Sequence, residues 1–353
     1  MVKYLGSKRT LVPAIRAAIA ALGVASACDL FAGTTRVGQA LRRAGLVVHS
    51  NDLATYSEAL GQAYIAADAS VDRDRLRALL AHLSALPGRR GYFTETFCER
   101  ARFFQPHNGM RVDAIRDEIE RLSLTPVERG LLLSSLLEAA DRVDSTCGLQ
   151  MAYVKAWAPR SHNALALREP VPVPGPRGVV TREDALSLPL DGVDCAYLDP
   201  PYNQHSYFSN YHVWETLVRW DAPEHYGVAC KRVDCRTTKS PFNRRRDAGA
   251  ALAGLIERLA TPWIVLSCSD EGFHDLGDLV ALLAERGHVR TVAIPFKRYV
   301  GAQIGIFDPA GRRVGAVSHL RNTELLFIAG PDPAAAQAAA RAAAGAMALP
   351  VAA

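Results

Sequence analysis

Four consecutive residues, Asp199, Pro200, Pro201 and Tyr202, follow a short apolar run and combine groups that can bind an aromatic amine. Each proline fixes its own φ angle and lacks an N–H group, so the turn is rigid. The Asp199 carboxylate and the Pro200 carbonyl are two acceptors for the two N–H groups of an exocyclic amine, and Tyr202 offers a ring face for stacking. The stretch predicts a pocket for an extruded nucleobase that carries an amino group. A rigid turn with an incidental acid is the alternative.

Three more residues at predicted strand ends have the spacing of a nucleotide site. Gly33, in "DLFAGTTRVG", lies between a strand and a helix, where a glycine lets a ligand approach the backbone. Asp52 ends the next strand, nineteen residues later, at the separation from which an acid binds ribose hydroxyls. Asp184 follows a later strand and could reach the rim of a nucleobase. The structural alternatives are a turn that needs glycine, for Gly33, and helix caps, for the two acids.

A basic run follows the proline turn. It contains Lys231, Arg232, Arg236, Lys239, Arg244, Arg245 and Arg246, with Asp234 as its one acid. Such residues position a protein on nucleic acid by binding phosphates, and a solvated loop is the alternative. The net charge of +5 permits a polyanionic partner without requiring one.

The elements that must position these residues alternate between helix and strand. The patterns of "TLVPAIRAAIAALG", "SACDLF", "TRVGQALRRAG" and "LVVHSND" predict helix, strand, helix and strand, which contains a βαβ unit. Strand patterns resume after residue 177, whereas residues 64–177 are mostly helical in pattern. We therefore predict an α/β fold with a doubly wound, mostly parallel sheet built from residues 1–63 and 178–330, and a helical insert at 64–177.

Two C-terminal features complete the predicted layout. "QIGIFDPAGRRVGAV" predicts a hairpin around a turn at residues 308–311 and hence an antiparallel strand. The Ala-rich tail, residues 331–353, is predicted as either a marginal helix or a disordered segment.

Composition favours a globular protein of the reducing cytoplasm. Hydrophobic residues make up 49% and charged residues 22% of the 353 residues. The seven cysteines form no C-x-x-C pair, and no His stands at metal-ligand spacing, so we expect reduced thiols and no metal site. The start "MVKYLGSKRT" does not have the pattern of a signal peptide, and no stretch has the length and apolarity of a membrane span.

The chain resembles the Dam-like alpha group of adenine-specific DNA methyltransferases. "DPPY" at 199–202 is similar to the catalytic motif of that family, "DLFAG" at 29–33 to its first cofactor motif, and "KYLGSKRTLVPAI" to its N-terminal cofactor motif. The motifs also follow the family's order, and the resemblance runs from Lys3 to about Gly330. Two stretches, "TETFCERARFFQPHNGMRVDAIRDEI" and "YFSNYHVWETLVRWD", look like the methylases that accompany restriction endonucleases of asymmetric sites, so a cognate endonuclease is an expected partner.

The resemblance implies a Rossmann-like methyltransferase that moves a methyl group from S-adenosylmethionine to the N6 atom of a flipped adenine. It implies that the cofactor is bound by Tyr4, Gly6, Ser7, Lys8, Asp29, Phe31, Gly33, Asp52 and Asp184, and that Asp199, Pro200, Pro201 and Tyr202 hold the adenine. One position departs from the family pattern: Thr35 stands where a second glycine is usual. We expect Thr35 to narrow the pocket near the methionine moiety of the cofactor.

Double-stranded DNA is the partner that the resemblance implies, at the nucleoid of a prokaryotic cytoplasm. Base readers are expected in the helical insert, and phosphate contacts in the basic run. The candidate readers are Arg89, Arg90, Arg100, Arg102, Gln105, Asn108 and Arg111, and the candidate phosphate contacts are Lys231, Arg232, Lys239, Arg244, Arg245 and Arg246. A monomer is favoured, and no membrane partner is expected.

Two other functions stay open from the sequence. The same pocket could methylate the amino group of cytosine N4, of RNA or of a glutamine amide, although Asp199 favours adenine, since the cytosine enzymes tend to carry Ser there and the glutamine enzymes Asn. The second alternative is a catalytically silent DNA-binding module of the same fold.

Overall fold

The structure is a computed structural model that describes residues 2–151, 156–297, 306–307, 312–315 and 321–348. In these ranges the α-helices are α1 (Val12–Ala21), α2 (Arg36–Arg43), α3 (Thr55–Gly61), α4 (Arg73–Ala85), α5 (Pro106–Arg121), α6 (Pro126–Val143), α7 (Tyr207–Asn210), α8 (His212–Arg219), α9 (Arg245–Arg258), α10 (Leu276–Ala284) and α11 (Pro333–Ala348). The strands are β1 (Ser26–Asp29), β2 (Val47–Asn51), β3 (Val179–Thr181), β4 (Cys195–Leu198), β5 (His225–Tyr226), β6 (Lys231–Arg232), β7 (Trp263–Ser269), β8 (His288–Lys297), β9 (Ile306–Phe307), β10 (Arg313–Gly315) and β11 (Arg321–Gly330).

Seven strands form one sheet in the order β3-β2-β1-β4-β7-β11-β8. The pairs among the first five strands are parallel, and β11 is antiparallel to both of its neighbours, β7 and β8. The chain leaves β1 toward β2 on one side and returns to β4 on the other, which makes the carboxyl edge of β1 and β4 a topological switch point. The predicted α/β fold, with a mostly parallel sheet and an antiparallel C-terminal strand, is confirmed.

The sheet is covered on both faces because the side chains of a strand alternate between them. In β4, Cys195 and Tyr197 join the core under α1 and α2, whereas Ala196 and Leu198 join the core under α9 and α10. All four residues of β4 and all seven of β7 are buried. Continuous apolar runs of this kind are typical of central strands covered on both faces.

The region between β2 and β3 is mostly helical, in keeping with the predicted insert. It holds α3, α4, α5, α6 and two π-helical stretches, Gln62–Ala66 and Thr94–Arg100. Its core also takes in Trp214 and neighbouring residues of α8, which follow the proline turn. The insert therefore packs directly on α8, in the segment that follows the predicted catalytic residues. Its boundaries at 64 and 177 stay a prediction.

The C-terminal predictions have different outcomes. Strands β9 and β10 pair antiparallel, as a hairpin requires, while the predicted turn at 308–311 lies outside the described residues. Residues 333–348 of the tail form helix α11, which packs on α1 and β8, so the disordered alternative does not hold for them. Its buried face is made of alanines at positions 336, 339, 340 and 343.

No helix in the described part of the chain combines the length and the apolarity needed to cross a membrane.

Candidate active site

A cleft opens at the carboxyl ends of β1, β2 and β4, where the predicted cofactor and catalytic stretches meet. It encloses about 1090 Å³, counting the part that is open to solvent. Nine of the predicted site residues line it: Tyr4, Gly6, Phe31, Gly33, Asp52, Asp184, Asp199, Pro201 and Lys239. The sheet thus brings together residues that lie almost 240 positions apart in sequence.

Asp52 holds the loop before α3 and lines the cleft, while its predicted contact with ribose stays a prediction. Its Oδ2 accepts a hydrogen bond from the Gly33 N–H at 2.8 Å, and its Oδ1 accepts one from the Ala54 N–H, just before α3, at 2.9 Å. Burial raises the pKa of the Asp52 carboxyl, although these backbone donors act in the opposite direction. The carboxylate thus organises the loop and also faces the cleft. Leu53, which follows it, is apolar yet 59% exposed on the cleft wall.

Gly33 has little room for a side chain. Its φ angle is +50°, and an added Cβ would lie 3.0 Å from Cε1 of Tyr4. The Tyr4 ring in turn stacks on Tyr211 and Tyr207, with ring centroids 4.5 and 5.3 Å apart. Tyr207 also lines the cleft. The N-terminal motif and the segment after the proline turn therefore form one aromatic wall.

Two residues of the glycine motif have internal roles. Asp29 is buried, does not line the cleft, and accepts a hydrogen bond from the Gly38 N–H of α2 at 3.0 Å. Burial raises the pKa of Asp29 to about 7. Thr35 is also buried, and its Oγ1 accepts a hydrogen bond from Gln39 Nε2 at 3.0 Å. Because Thr35 does not line the cleft, the expectation that it narrows the pocket does not hold.

Lys8 points to the predicted catalytic acid instead of the cleft. Its Nζ lies 3.0 Å from Oδ1 of Asp199 and 3.4 Å from Oε2 of Glu324, and the side chain is buried. Burial alone would lower the pKa of Lys8, but the two carboxylates raise it well above its ordinary value. Lys8 and Asp199 thus form a buried ion pair at the end of β4. The preceding residue, Ser7, has a buried hydroxyl without a hydrogen-bond partner among the described residues.

The proline turn holds Asp199 at the end of β4. Oδ1 of Asp199 takes the contact with Lys8 and a hydrogen bond from Ser267 Oγ at 3.3 Å. Burial raises the pKa of Asp199, and Lys8 and Ser267 counteract part of this rise. Tyr202 is half-buried, with Lys8 Nζ 5.5 Å from its ring centroid, and it is not part of the cleft wall. Pro200 is buried and also lies off the wall.

The far wall of the cleft is the segment 238–243, directly before α9. Phe242 packs edge-on against Phe31, with centroids 5.4 Å apart. Asn243 donates hydrogen bonds to the backbone carbonyls of Asn203 and His205 at 2.8 and 3.1 Å. This segment therefore fastens the loop that follows the proline turn. Lys239 lines the cleft here, and its Nζ donates to the Cys235 carbonyl at 2.9 Å.

Two predicted DNA contacts are internal in the structure. Asn108 is fully buried, and its side chain bonds the backbone of Ser161, Asn163 and Leu165. Arg232 is 1% exposed and is paired with Asp221 and Asp234. Neither side chain has a free polar edge toward solvent, so their predicted contacts with DNA do not fit this arrangement.

The other insert candidates differ in how they are held. Arg89 pairs with Asp117, and Arg90 pairs with Glu95 and Glu99. Arg111 donates to the carbonyls of Leu83 and Ser84, whereas Arg102 is exposed and lies over the ring of Trp157. Arg100 contacts His225, and Gln105 contacts His162.

The last three arginines of the basic run form an exposed cluster. Arg244, Arg245 and Arg246 stand at the start of α9, and Asp247 pairs with the first and the third. Positive charge at a helix N-terminus opposes the helix dipole, so the cluster does not serve the stability of α9. Lys231, earlier in the run, is half-buried on β6.

Comparison with known proteins agrees with this arrangement. Residues 4–257 match the family described as "D12 class N6 adenine-specific DNA methyltransferase". The chain belongs to this family. The predicted resemblance to adenine-specific DNA methyltransferases is thus confirmed.

Several curated methylases are similar to this chain. It is 30% identical to the modification methylase StsI of Streptococcus sanguinis, over 84% of the chain and 48% of that protein. It is also 30% identical to the type II methyltransferase M.NlaIII of Neisseria lactamica, over 77% of the chain and 83% of that protein. M.FokI of Planomicrobium okeanokoites is 30% identical over 77% of the chain and 45% of its own length. The chain thus spans about half of StsI and M.FokI and most of M.NlaIII.

Among the residues of the site that were not predicted from the sequence are Leu53, Tyr207, Ser267 and Glu324. Leu53 carried a signal, since it is an apolar residue directly after a strand-end acid. Glu324 carried another, since it is a charged residue inside the apolar strand "TELLFIAG". Tyr207 and Ser267 have ordinary sequence contexts, and only the tertiary structure places them near Asp199.

Proposed function

We propose that this chain transfers a methyl group from S-adenosylmethionine to the N6 atom of an adenine flipped out of double-stranded DNA. The observation that carries the proposal is the position of Asp199. It heads a rigid proline turn and opens on the same cleft that Gly33 and Asp52 line. An amine acceptor and a nucleotide-sized pocket thus share one wall.

The cleft suits the cofactor. Asp52 would accept hydrogen bonds from the ribose hydroxyls, and Asp184 and Leu53 would lie against the adenine. Leu53 is an apolar side chain 59% exposed in the cleft, and a planar base would cover it. The hydroxyl of Ser7, next to Gly6 on the cleft wall, has no hydrogen-bond partner among the described residues and would serve the methionine end. Bound there, S-adenosylmethionine supplies an activated methyl group on its sulfonium.

The protein's part in the reaction is to orient the adenine amine. The free oxygen of Asp199 and the Pro200 carbonyl would accept the two N–H groups, which turns the nitrogen lone pair toward the methyl donor. Tyr202 is the proposed stacking face. Base flipping costs a few kcal/mol of unstacking, which the pocket contacts offset.

DNA would be held by the exposed cluster Arg244–Arg246 and by Lys231, with sequence preference supplied by the helical insert. We propose that the enzyme acts as a monomer beside a cognate restriction endonuclease at the nucleoid of a prokaryotic cytoplasm. Phosphate contacts give affinity, and base-edge contacts give the preference.

A methyl-transfer assay with labelled S-adenosylmethionine tests the reaction. DNA, RNA and protein are offered as substrates, and the labelled DNA is digested to nucleosides. We expect label in N6-methyladenine. Label in N4-methylcytosine alone, or in RNA or protein, would contradict the proposal. Binding to DNA without calorimetric binding of S-adenosylmethionine would instead favour a silent DNA-binding module.

A further inference from the structure

A hydrogen-bonded network connects Asp199 to two strands that the sequence did not associate with catalysis. The Tyr197 hydroxyl and Ser267 Oγ are 2.8 Å apart, and Ser267 donates to Oδ1 of Asp199 at 3.3 Å. Lys8 Nζ lies 3.0 Å from the same Oδ1 and 3.4 Å from Oε2 of Glu324. These five residues, the Asp199 network, come from β4, β7, β11 and the segment before α1.

Both internal contacts reach the same oxygen of Asp199. Oδ1 faces Lys8 and Ser267, whereas Oδ2 has no hydrogen-bond partner among the described residues. The carboxylate plane is therefore fixed by two groups on one side. The other oxygen stays available to accept an N–H group from a ligand in the cleft.

The second carboxylate of the network is unnecessary for charge balance. Lys8 and Asp199 alone would form a neutral pair, and Glu324, which is 4% exposed, adds a buried negative charge. A buried carboxylate carries a desolvation cost of several kcal/mol, so a third charge in this place is poorly explained by stability alone. Glu324 does give Lys8 a second anchor, on the rigid antiparallel pair of β7 and β11.

We propose that Glu324 is a positioning residue that anchors Lys8 on Oδ1 of Asp199 and so keeps Oδ2 free for the adenine amine. This inference rests on the proposed function. Without Glu324, the ammonium of Lys8 is free to bridge both oxygens of Asp199 and compete with the substrate. Glu324 thus acts on catalysis through Lys8, without touching adenine or cofactor.

Glu324→Gln tests this role, because it keeps the shape of the side chain and removes its charge. We expect kcat for methyl transfer to fall by as much as about 10²-fold, because a small misplacement of a reacting group can cost that much. The Kd for S-adenosylmethionine and the KM for DNA should change little, since neither ligand touches Glu324. Glu324→Asp keeps the charge and should retain more activity than Glu324→Gln.

A double-mutant cycle with Lys8→Met distinguishes positioning from general stability. If Glu324 acts through Lys8, Glu324→Gln should have no further effect on kcat in the Lys8→Met background. If the two substitutions lower kcat independently, so that their fold losses multiply in the double variant, the proposal is overturned. Should Glu324→Gln fail to fold, the cycle is run with Glu324→Met, which also removes the charge, and full wild-type kcat in that variant would overturn the proposal.

The chain offers a matched control in a second lysine shared by two acids. Lys3 Nζ lies 3.1 Å from Asp141 and 3.2 Å from Asp144, away from Asp199. Asp141→Asn should lower the melting temperature but leave kcat near that of the wild type. An equal loss of kcat in Asp141→Asn would show that any lysine shared by two buried acids produces the effect. A wild-type protein without methyl transfer to DNA would instead refute the proposed function itself.

Discussion

At the scale of single residues, the role of Asp199 distinguishes a catalytic site from a rigid turn with an incidental acid. It is the proposed acceptor for the adenine amine, and in the part of the chain that the structure describes its partners Lys8 and Ser267 contact only one of its oxygens. The DNA-contact candidates lie elsewhere, on α9 and the helical insert. Transfer chemistry and DNA affinity should therefore be separable by mutation.

Asp199→Ala should lower methyl transfer by roughly 10²–10³-fold, the usual cost of losing one preorganised hydrogen-bonding group in an active site. DNA binding should persist, because the substitution removes an amine acceptor and no phosphate contact. Turnover is measured with labelled cofactor, and binding by mobility shift. Wild-type turnover in the variant would remove Asp199 from the mechanism.

The pH dependence of kcat should report the ionisation of Asp199. Burial raises the pKa of this carboxyl above its ordinary value, and Lys8 counteracts part of the rise. Protonation removes an acceptor, so kcat should fall as the pH drops through the raised pKa. In Lys8→Met the counteracting charge is gone, so the acidic limb should move to higher pH. Single-turnover rates across a pH series compare the two proteins, and coincident limbs would speak against this pairing.

At the scale of elements, the turn between β1 and α2 forms part of the wall of the cleft that we propose holds the cofactor. Gly33 sits there with φ of +50°, and its added Cβ would meet the Tyr4 ring. Gly23, after α1, has a similar φ of +70° but nothing within 4 Å of an added Cβ. The two glycines share a backbone requirement and differ in what surrounds them.

Gly33→Ala and Gly23→Ala should therefore have the same backbone effect and different binding effects. Each should destabilise the protein by about 1–2 kcal/mol, because an L-residue in the left-handed region is strained. Only Gly33→Ala should also weaken S-adenosylmethionine binding, since it pushes on Tyr4 in the cleft wall. Thermal melts and calorimetry measure the two effects. Equal affinity in both variants would mean that the Gly33–Tyr4 contact does not shape the cofactor site.

Elements and their order were predictable where the pattern is local. The alternating helices and strands, the motif order and the strand-end position of Asp52 follow from periodicity and spacing. Glu324 was not predictable as a partner of Lys8, because 316 residues separate them and only the pairing of β11 with β7 brings them together. Asn108 and Arg232 look like free polar residues in the sequence, and only packing shows that internal partners occupy them. The sequence left helix and disorder open for α11, because alanines on nearly every face of the tail give no periodic contrast between apolar and polar positions.

At the scale of the whole molecule, the two faces of the sheet carry different surfaces. Helix α9, with the cluster Arg244–Arg246 at its start, covers one face, and α1 and α11 cover the other. Exposed arginines occur on both, for example Arg16 on α1 and Arg341 on α11. The net charge of the protein therefore does not identify the surface that contacts DNA. Removing positive charge from one face at a time and measuring DNA binding does.

Replacing Arg244, Arg245 and Arg246 with Ala should weaken DNA binding across sequences. It should also flatten the dependence of log K on log salt by about 0.9 for each phosphate that the variant no longer neutralises, since fewer counterions are released. Stability should hold or rise, because the substitutions remove positive charge from the N-terminus of α9. The control Arg16→Ala/Arg341→Ala removes charge from the opposite face and should leave the slope unchanged. Mobility shifts over a salt series measure these slopes. Equal slopes for the triple variant and the wild type would mean that the cluster at α9 does not contact DNA. A slope altered only in the control would place DNA on the face of α1 and α11.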